Sequence, residues 1–337
     1  MIIRSKAPFR VSFGGGGTDM PPYCLDHGGC VISTTIDRHV YVSIKPRDDN
    51  YVHINAINFN EKYIFQIGDN DYSTRFEVIK GVINYLKVDK GFDITIFSEL
   101  PVGSGMGGSS SLAVALIGAF DKYYNFGYNK HEIAQKAYDI ERIELNQKGG
   151  YQDQFAASYG GFNFIKFKNE VEVIPIKTSI DMINELQHCM IMCYVGGSHF
   201  SSDIQDNVLE GYQIKRKSFM ESMDDLKKVA YGMKDIIESK DLNNIKQFGD
   251  LLHQGWLAKK SLSNKISNKN IENFYISSRK LGVIGGKLLG AGGGGHLLLF
   301  SESNHKYEVI DELEKKGGKI INFHFNPNGL EVWKIDN

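Results

Sequence analysis

The chain has 337 residues, of which 42% are hydrophobic and 23% charged, and a formal net charge of -1. That length suggests two packed domains with ample core. The balanced charge excludes a protein that holds nucleic acid on a basic surface, although a local basic pocket stays possible.

The first 70 residues alternate short strand-like runs with turns. His39-Val-Tyr-Val-Ser-Ile-Lys45 alternates polar and apolar, which predicts a half-buried strand. Glu77 to Val88 reads as an amphipathic helix and Phe92 to Phe97 as a strand. A glycine-serine loop follows, then helices over 109–124 and 130–146 and strands over 161–167 and 171–176. The second half opens on an apolar strand, Cys189 to Val195. A long helical stretch then repeats Met220, Met223, Ala230, Met233 and Ile237 at helical spacing. Further helices lead to a strand over 296–300, a helix near 307–316 and two terminal strands. The domains are expected to span 1–180 and 181–337.

Cys24, Cys30, Cys189 and Cys193 fit neither a disulfide framework nor paired C-x-x-C zinc ligands. No run approaches the roughly 20 apolar residues of a membrane span, and the N-terminus has no apolar signal region. A soluble, cytoplasmic chain without membrane or nucleic-acid partners is expected. Glycine is the outlier: clusters at 14–17, 103–108 and 290–295 suggest three loops approaching one ligand.

Leu100-Pro-Val-Gly-Ser-Gly-Met-Gly-Gly-Ser-Ser-Ser111 joins a strand to a helix. Gly103, Ser104, Gly105, Met106, Gly107, Gly108, Ser109 and Ser110 would thus turn backbone N–H groups and the positive helix end toward a polyphosphate. A serine of the first turn could reach a phosphate-bound metal; an N-cap would need only one serine, and three in a row ask for more. Gly103-x-Gly105-x-x-Gly108 also matches the dinucleotide fingerprint, but a second helix stands where that fold needs a strand ending in an acidic residue. The Gly-Lys-Ser/Thr triplet of a Walker loop is missing.

With this loop, two further segments resemble the GHMP kinases. Lys6-Ala-Pro-Phe-Arg10-Val with Gly17-Thr18-Asp19 is similar to the family's Pro-Gly-Arg/Lys-Val opening and the Thr-Asp of its sugar kinases. Lys287-Leu-Leu-Gly-Ala-Gly-Gly-Gly-Gly-His296 is similar to its third motif, with His296 in a cysteine position. The resemblance implies an α+β, two-domain fold, with a left-handed βαβ unit in the N-terminal domain and a ferredoxin-like C-terminal domain. It also implies ATP as phosphoryl donor with Mg2+, and a small-molecule acceptor bound by a monomer or homodimer. Within the family, the opening and Lys148-Gly-Gly-Tyr-Gln-Asp153-Gln resemble the D-glycero-D-manno-heptose 7-phosphate kinases. These phosphorylate the anomeric hydroxyl to a 1,7-bisphosphate for GDP-heptose biosynthesis. Fucose- or galactose-type kinases, and a non-catalytic sugar-binding regulator, are the alternatives.

By the same resemblance Asp153 is the catalytic base, against an Asx-turn reading, and Arg10 the cation beside it. Glu141, twelve residues before Asp153, would hold magnesium with Ser109, and Glu144 is its rival. Gly17, Thr18 and Asp19 would contact the sugar, with Gly292 and Gly293 of the third loop also at the substrate. Lys6, His199, Ser201 and Ser202 have the chemistry to meet a substrate phosphate, although relatives carry arginine where His199 stands.

Overall fold

The computed structural model describes residues 1–197, 201–214 and 217–336, and leaves aside the side chains of Ser201, Ser202, Asp203 and Ser303. In chain order the first half holds β1 (Ile2–Gly14), α1 (Tyr23–His27), β2 (Gly29–Pro46), β3 (Tyr51–Ala56), β4 (Glu61–Gln66), α2 (Glu77–Tyr85) and β5 (Phe92–Ser98). It continues with α3 (Gly108–Tyr124), α4 (Lys130–Asp139), α5 (Gln152–Tyr159), β6 (Asn163–Phe167) and β7 (Val171–Pro175). The second half holds α6 (Ile180–Cys189), β8 (Met190–Tyr194), α7 (Ser201–Gln213), α8 (Lys217–Ser239), α9 (Ile245–Leu262) and α10 (Lys269–Lys280). It ends with β9 (Val283–Leu288), β10 (His296–Ser301), α11 (Lys306–Lys315), β11 (Lys319–Ile320), β12 (Phe325–Asn326) and β13 (Glu331–Ile335).

The larger sheet has the order β13-β1-β2-β5-β3-β4. Its spine is β2, which pairs with β1 on one side and with β6, β12 and β5 in succession on the other. Alternation revealed only the second half of this strand. Residues 29–36 are buried on both faces, and their polar residues, Ser33, Thr34 and Thr35, fall in one run, so no alternation marks the period there. The parallel pair β3 and β5 is joined by a crossover through β4 and α2. The smaller sheet is antiparallel in the order β11-β8-β10-β9. Taken as strands one to four along the chain, this is the 4-1-3-2 arrangement of a ferredoxin-like domain.

A boundary near residue 180 separates the two sheets only in part. Strands β12 and β13 return to the larger sheet, where β12 pairs with β2 and β13 lies antiparallel to β1, Ile2 opposite Ile335. One hydrophobic core also spans the halves, packing Phe9, Val11 and Phe13 of β1 with Met233 of α8 and Leu298 and Phe300 of β10. The methionine stripe of α8 is therefore core, as its spacing predicts. The four cysteines are free and buried.

The C-terminal return packs on α3, the helix that follows the glycine loop. A Cβ on Gly118 would lie 2.6 Å from Leu330 Cδ2 and 3.1 Å from Val332 Cγ2. Gly118→Val should therefore overpack this contact and lower stability by about 1–3 kcal/mol. Urea unfolding measures it, and Leu330→Ala in the same chain should recover part of the loss.

Candidate active site

Between the two halves lies a cavity of about 1180 Å³. Its floor is set by a bulge in β1, whose pairing with β2 shifts register between Pro8 and Arg10. Bulges re-aim side chains, and a proline without an N–H fits beside one. Arg10 is only 4% exposed. Its Nε–H donates to Asp153 Oδ1 at 2.7 Å, an Nη1–H to the Gly105 carbonyl at 2.7 Å, and its backbone N–H to the Met106 carbonyl at 3.1 Å. One side chain thus fixes the glycine loop and the carboxylate in a single frame.

Asp153 sits in the first turn of α5, where the positive helix end favours an anion. It faces Gly107, whose φ of +80° and closeness to Asp153 both exclude a side chain: a Cβ would stand 3.2 Å from Asp153 Cγ. The loop then enters α3 at Gly108, turning the free N–H groups of that helix toward the cavity.

Glu141 does not lie in a regular helix. After α4 the chain makes one π turn over Ile140–Glu144, with the Leu145 N–H donating to the Ile140 carbonyl at 2.9 Å. Single π turns recur at functional sites because they rotate a side chain out of helical register. Here Glu141 is buried, and its Oε2 accepts from Ser110 Oγ–H and Gln154 Nε2–H, each at 2.6 Å. Among the described residues no group of three or more His, Cys, Asp or Glu gathers as a closed metal cage. One carboxylate with one hydroxyl beside a phosphate loop suits Mg2+, which keeps waters and phosphate oxygens as most of its ligands.

Asp19 is fixed by the Gly17 N–H on Oδ1 at 3.0 Å and the Gln152 N–H on Oδ2 at 3.2 Å. Gly150 passes so close that a Cβ there would fall 2.0 Å from Asp19 Oδ2. Burial pushes the Asp19 carboxyl above the usual carboxylate range, and the charge of Asp153 adds to this against those two N–H bonds.

Family models for the GHMP kinases N terminal domain and the GHMP kinases C terminal domain match residues 76–161 and 233–319. The chain is 32% identical over 343 residues to the D-glycero-alpha-D-manno-heptose 7-phosphate kinase of Campylobacter jejuni, covering 99% of each. It belongs to the GHMP kinase family. A crystal structure of a D-glycero-D-manno-heptose 1-phosphate kinase from Bacteroides thetaiotaomicron superposes with a TM-score of 0.81 at 28% identity, over 99% of this chain and 100% of that one. The L-fucokinase/L-fucose-1-P guanylyltransferase of Bacteroides fragilis is 25% identical over 89% of this chain, which spans 35% of that longer protein.

In this GHMP kinase the cavity gathers Arg10, Gly17, Asp19, Gly103, Ser104, Gly105, Gly107, Gly108, Ser109, Ser110, Glu141 and Asp153. Other expectations need correction. Ser110, not Ser109, meets Glu141; Ser109 is exposed on the next face of the turn. Glu144 accepts from the Tyr72 hydroxyl at 2.8 Å and is no rival. Met106 is buried under its loop, and only its carbonyl serves the site. Thr18 Oγ1–H is spent on the Gly15 carbonyl at 2.8 Å, tying the loop to itself. Lys6 pairs with Glu331 at 3.2 Å and does not line the cavity. In the third loop Gly290 and Ala291 line it instead of Gly292 and Gly293, whose backbone packs on Ile266. His199 and the side chains of Ser201 and Ser202 lie outside the described residues.

The motif reading missed Lys259, Lys287, Arg142 and Lys148, all of which line the cavity. Lys259 had a signal: it follows Phe248, Leu252 and Trp256 along the buried stripe of α9, where a cation is costly. Lys287 opens the third motif but was given no role. Arg142 lies against Gly149, with its Nε buried and without a hydrogen-bond partner among the described residues.

The Ser110–Glu141 contact makes a metal-specific prediction. Ser110→Ala and Glu141→Gln should each raise the Mg2+ concentration for half-maximal activity several-fold at fixed ATP. Ser109→Ala should leave it unchanged.

Proposed function

We propose that the chain is an ATP- and Mg2+-dependent kinase that phosphorylates the anomeric hydroxyl of a heptose 7-phosphate, giving the 1,7-bisphosphate. The observation that carries this reading is the Arg10–Asp153 pair, held at 2.7 Å beside the glycine loop in one cavity. Phosphoryl transfer needs positioning and charge neutralisation more than covalent help. The N–H groups of the loop and of the α3 N-terminus would take the nucleotide phosphates. Glu141 and Ser110 would hold Mg2+, which supplies charge neutralisation on the phosphate oxygens. Asp153 would accept the hydrogen bond of the acceptor hydroxyl, aim its oxygen in line, and take its proton late. Arg10 would keep Asp153 in register and face the oxygens in transfer.

Asp19, immobilised by two backbone N–H groups, has the geometry to orient sugar hydroxyls. Arg142 and Lys148 both line the cavity, Lys148 while paired with Asp206 at 3.8 Å, and a guanidinium suits a phosphate oxygen of the acceptor. That supports a sugar phosphate over a free sugar. The Campylobacter relative's name sets the existing phosphate at carbon 7, and the Bacteroides structure's name at carbon 1.

The test is an ADP-release assay with MgATP on heptose 7-phosphate, heptose 1-phosphate, unphosphorylated heptose, fucose and galactose. The highest kcat/KM is expected for heptose 7-phosphate. Preference for fucose would move the chain to the fucokinase reading. Asp153→Asn keeps an acceptor for Arg10 and so spares the fold. It should lower kcat by at least a hundredfold while changing the affinity for a non-hydrolysable ATP analogue less than threefold.

A further inference from the structure

Two cavity lysines take no part in this mechanism. Lys259 of α9 is 7% exposed and Lys287 of β9 is 4% exposed. Among the described residues neither has a carboxylate partner. The Lys259 ammonium donates to the Gly290 carbonyl, and the Lys287 ammonium to the Ser12 carbonyl at 2.8 Å. An ammonium has three N–H donors, so two on each are left without an acceptor among the described residues. Burial pushes Lys259 down to about 8, helped by the charge of Arg10, and Lys287 well below its ordinary value. The cluster sets three basic groups (Arg10, Lys259, Lys287) beside two carboxylates (Asp19, Asp153).

The location says what anion answers it. Gly290, whose carbonyl holds Lys259, abuts the tip of the phosphate loop: a Cβ on Gly290 would lie 2.6 Å from Gly105 Cα. The carbonyl of Gly105 in turn holds Arg10. Arg10 from β1 and Lys259 from α9 thus grip two touching glycines, with Asp153 attached to Arg10.

We propose that Lys259 is a second catalytic cation, contributed by the C-terminal half, which contacts the oxygens of the phosphoryl group during transfer. The inference rests on the kinase reading above. In the step the acceptor oxygen bonds to the γ-phosphorus as the bond to the β,γ-bridging oxygen breaks. ADP leaves with that electron pair, and the hydroxyl proton passes to Asp153. Lys259 neither gives nor takes a proton. It offsets charge on the equatorial oxygens, which a preorganised, water-poor site does most effectively. Lys287 lies beside it as a further N–H donor on the cavity wall.

The experiment uses the full chain with Lys259→Met and, as a second variant, Lys259→Gln. Each is assayed for kcat and KM with MgATP and the best acceptor of the panel, and for thermal midpoint. Wild type must first turn over. If no sugar or sugar phosphate releases ADP, the kinase reading fails and takes this one with it. With an active wild type, the expected result is a loss of kcat of tenfold or more in a variant that melts at or above the wild-type temperature, since an unpaired buried charge has been removed. A folded variant whose kcat falls less than tenfold, or whose loss is confined to KM of the acceptor, overturns the proposal. So does melting of both variants well below wild type, because the lysine would then be serving the fold.

Discussion

A guanidinium at the floor of the cavity holds three distant parts of the chain together. Arg10 leaves a bulged strand, bonds to the carbonyl of a glycine loop nearly a hundred residues away, and pairs with a carboxylate beyond that. Arginine suits this position because its planar fork serves several acceptors at once and stays charged when buried. Burying it costs several kcal/mol, which only well-formed partners offset. The geometry of the loop, of Asp153 and of the α5 terminus therefore depends on one another. A site built this way is preorganised: its N–H donors and the Asp153 carboxylate are in place before a ligand arrives.

Around that frame the two halves contribute different things. The N-terminal half supplies the glycine loop, the helix end, the buried Ser110–Glu141 contact and the Asp153 carboxylate. The C-terminal half supplies two buried lysines, Lys259 and Lys287, and a glycine turn that touches the loop at Gly105. A continuous hydrophobic core between β1, α8 and β10 fixes the two contributions at one distance. The larger sheet and the ferredoxin-like layer are in this sense one support with two faces on the cavity.

The parts legible in the sequence were those that break its ordinary patterns. Clustered glycines beside serines at 103–111 stand out because few residue types permit such backbone, whereas Asp153 is reached only through the resemblance of its segment to the family's. Where the structure is ordinary core, the pattern went silent. The first half of β2 shows no alternation because both its faces are dry, and α5 was hidden because its eight residues are too few to show a period. Lys259 and Arg142 were missed for the opposite reason. A lysine in an apolar stripe is conspicuous only once the stripe is known to be buried, and Arg142 meets the cavity only through a π turn that periodicity cannot register. Ser110 and Ser109 are neighbours of equal chemistry, and only the rotation of α3 decides which one reaches Glu141.

The return of β13 to β1 has a consequence for how the protein is made. Ile2 finds its partner at Ile335, so the edge of the first sheet stays open until residues 331–335 have been made. During that interval β1 offers unpaired backbone groups, a template for association with other chains. Helix α3, which follows the glycine loop, meanwhile lacks the cover of Leu330 and Val332. That side of the cavity therefore gains its last packing long after its own residues have been made. A chain cut short before Glu331 would hold every residue that lines the cavity and would leave β1 without its outer partner.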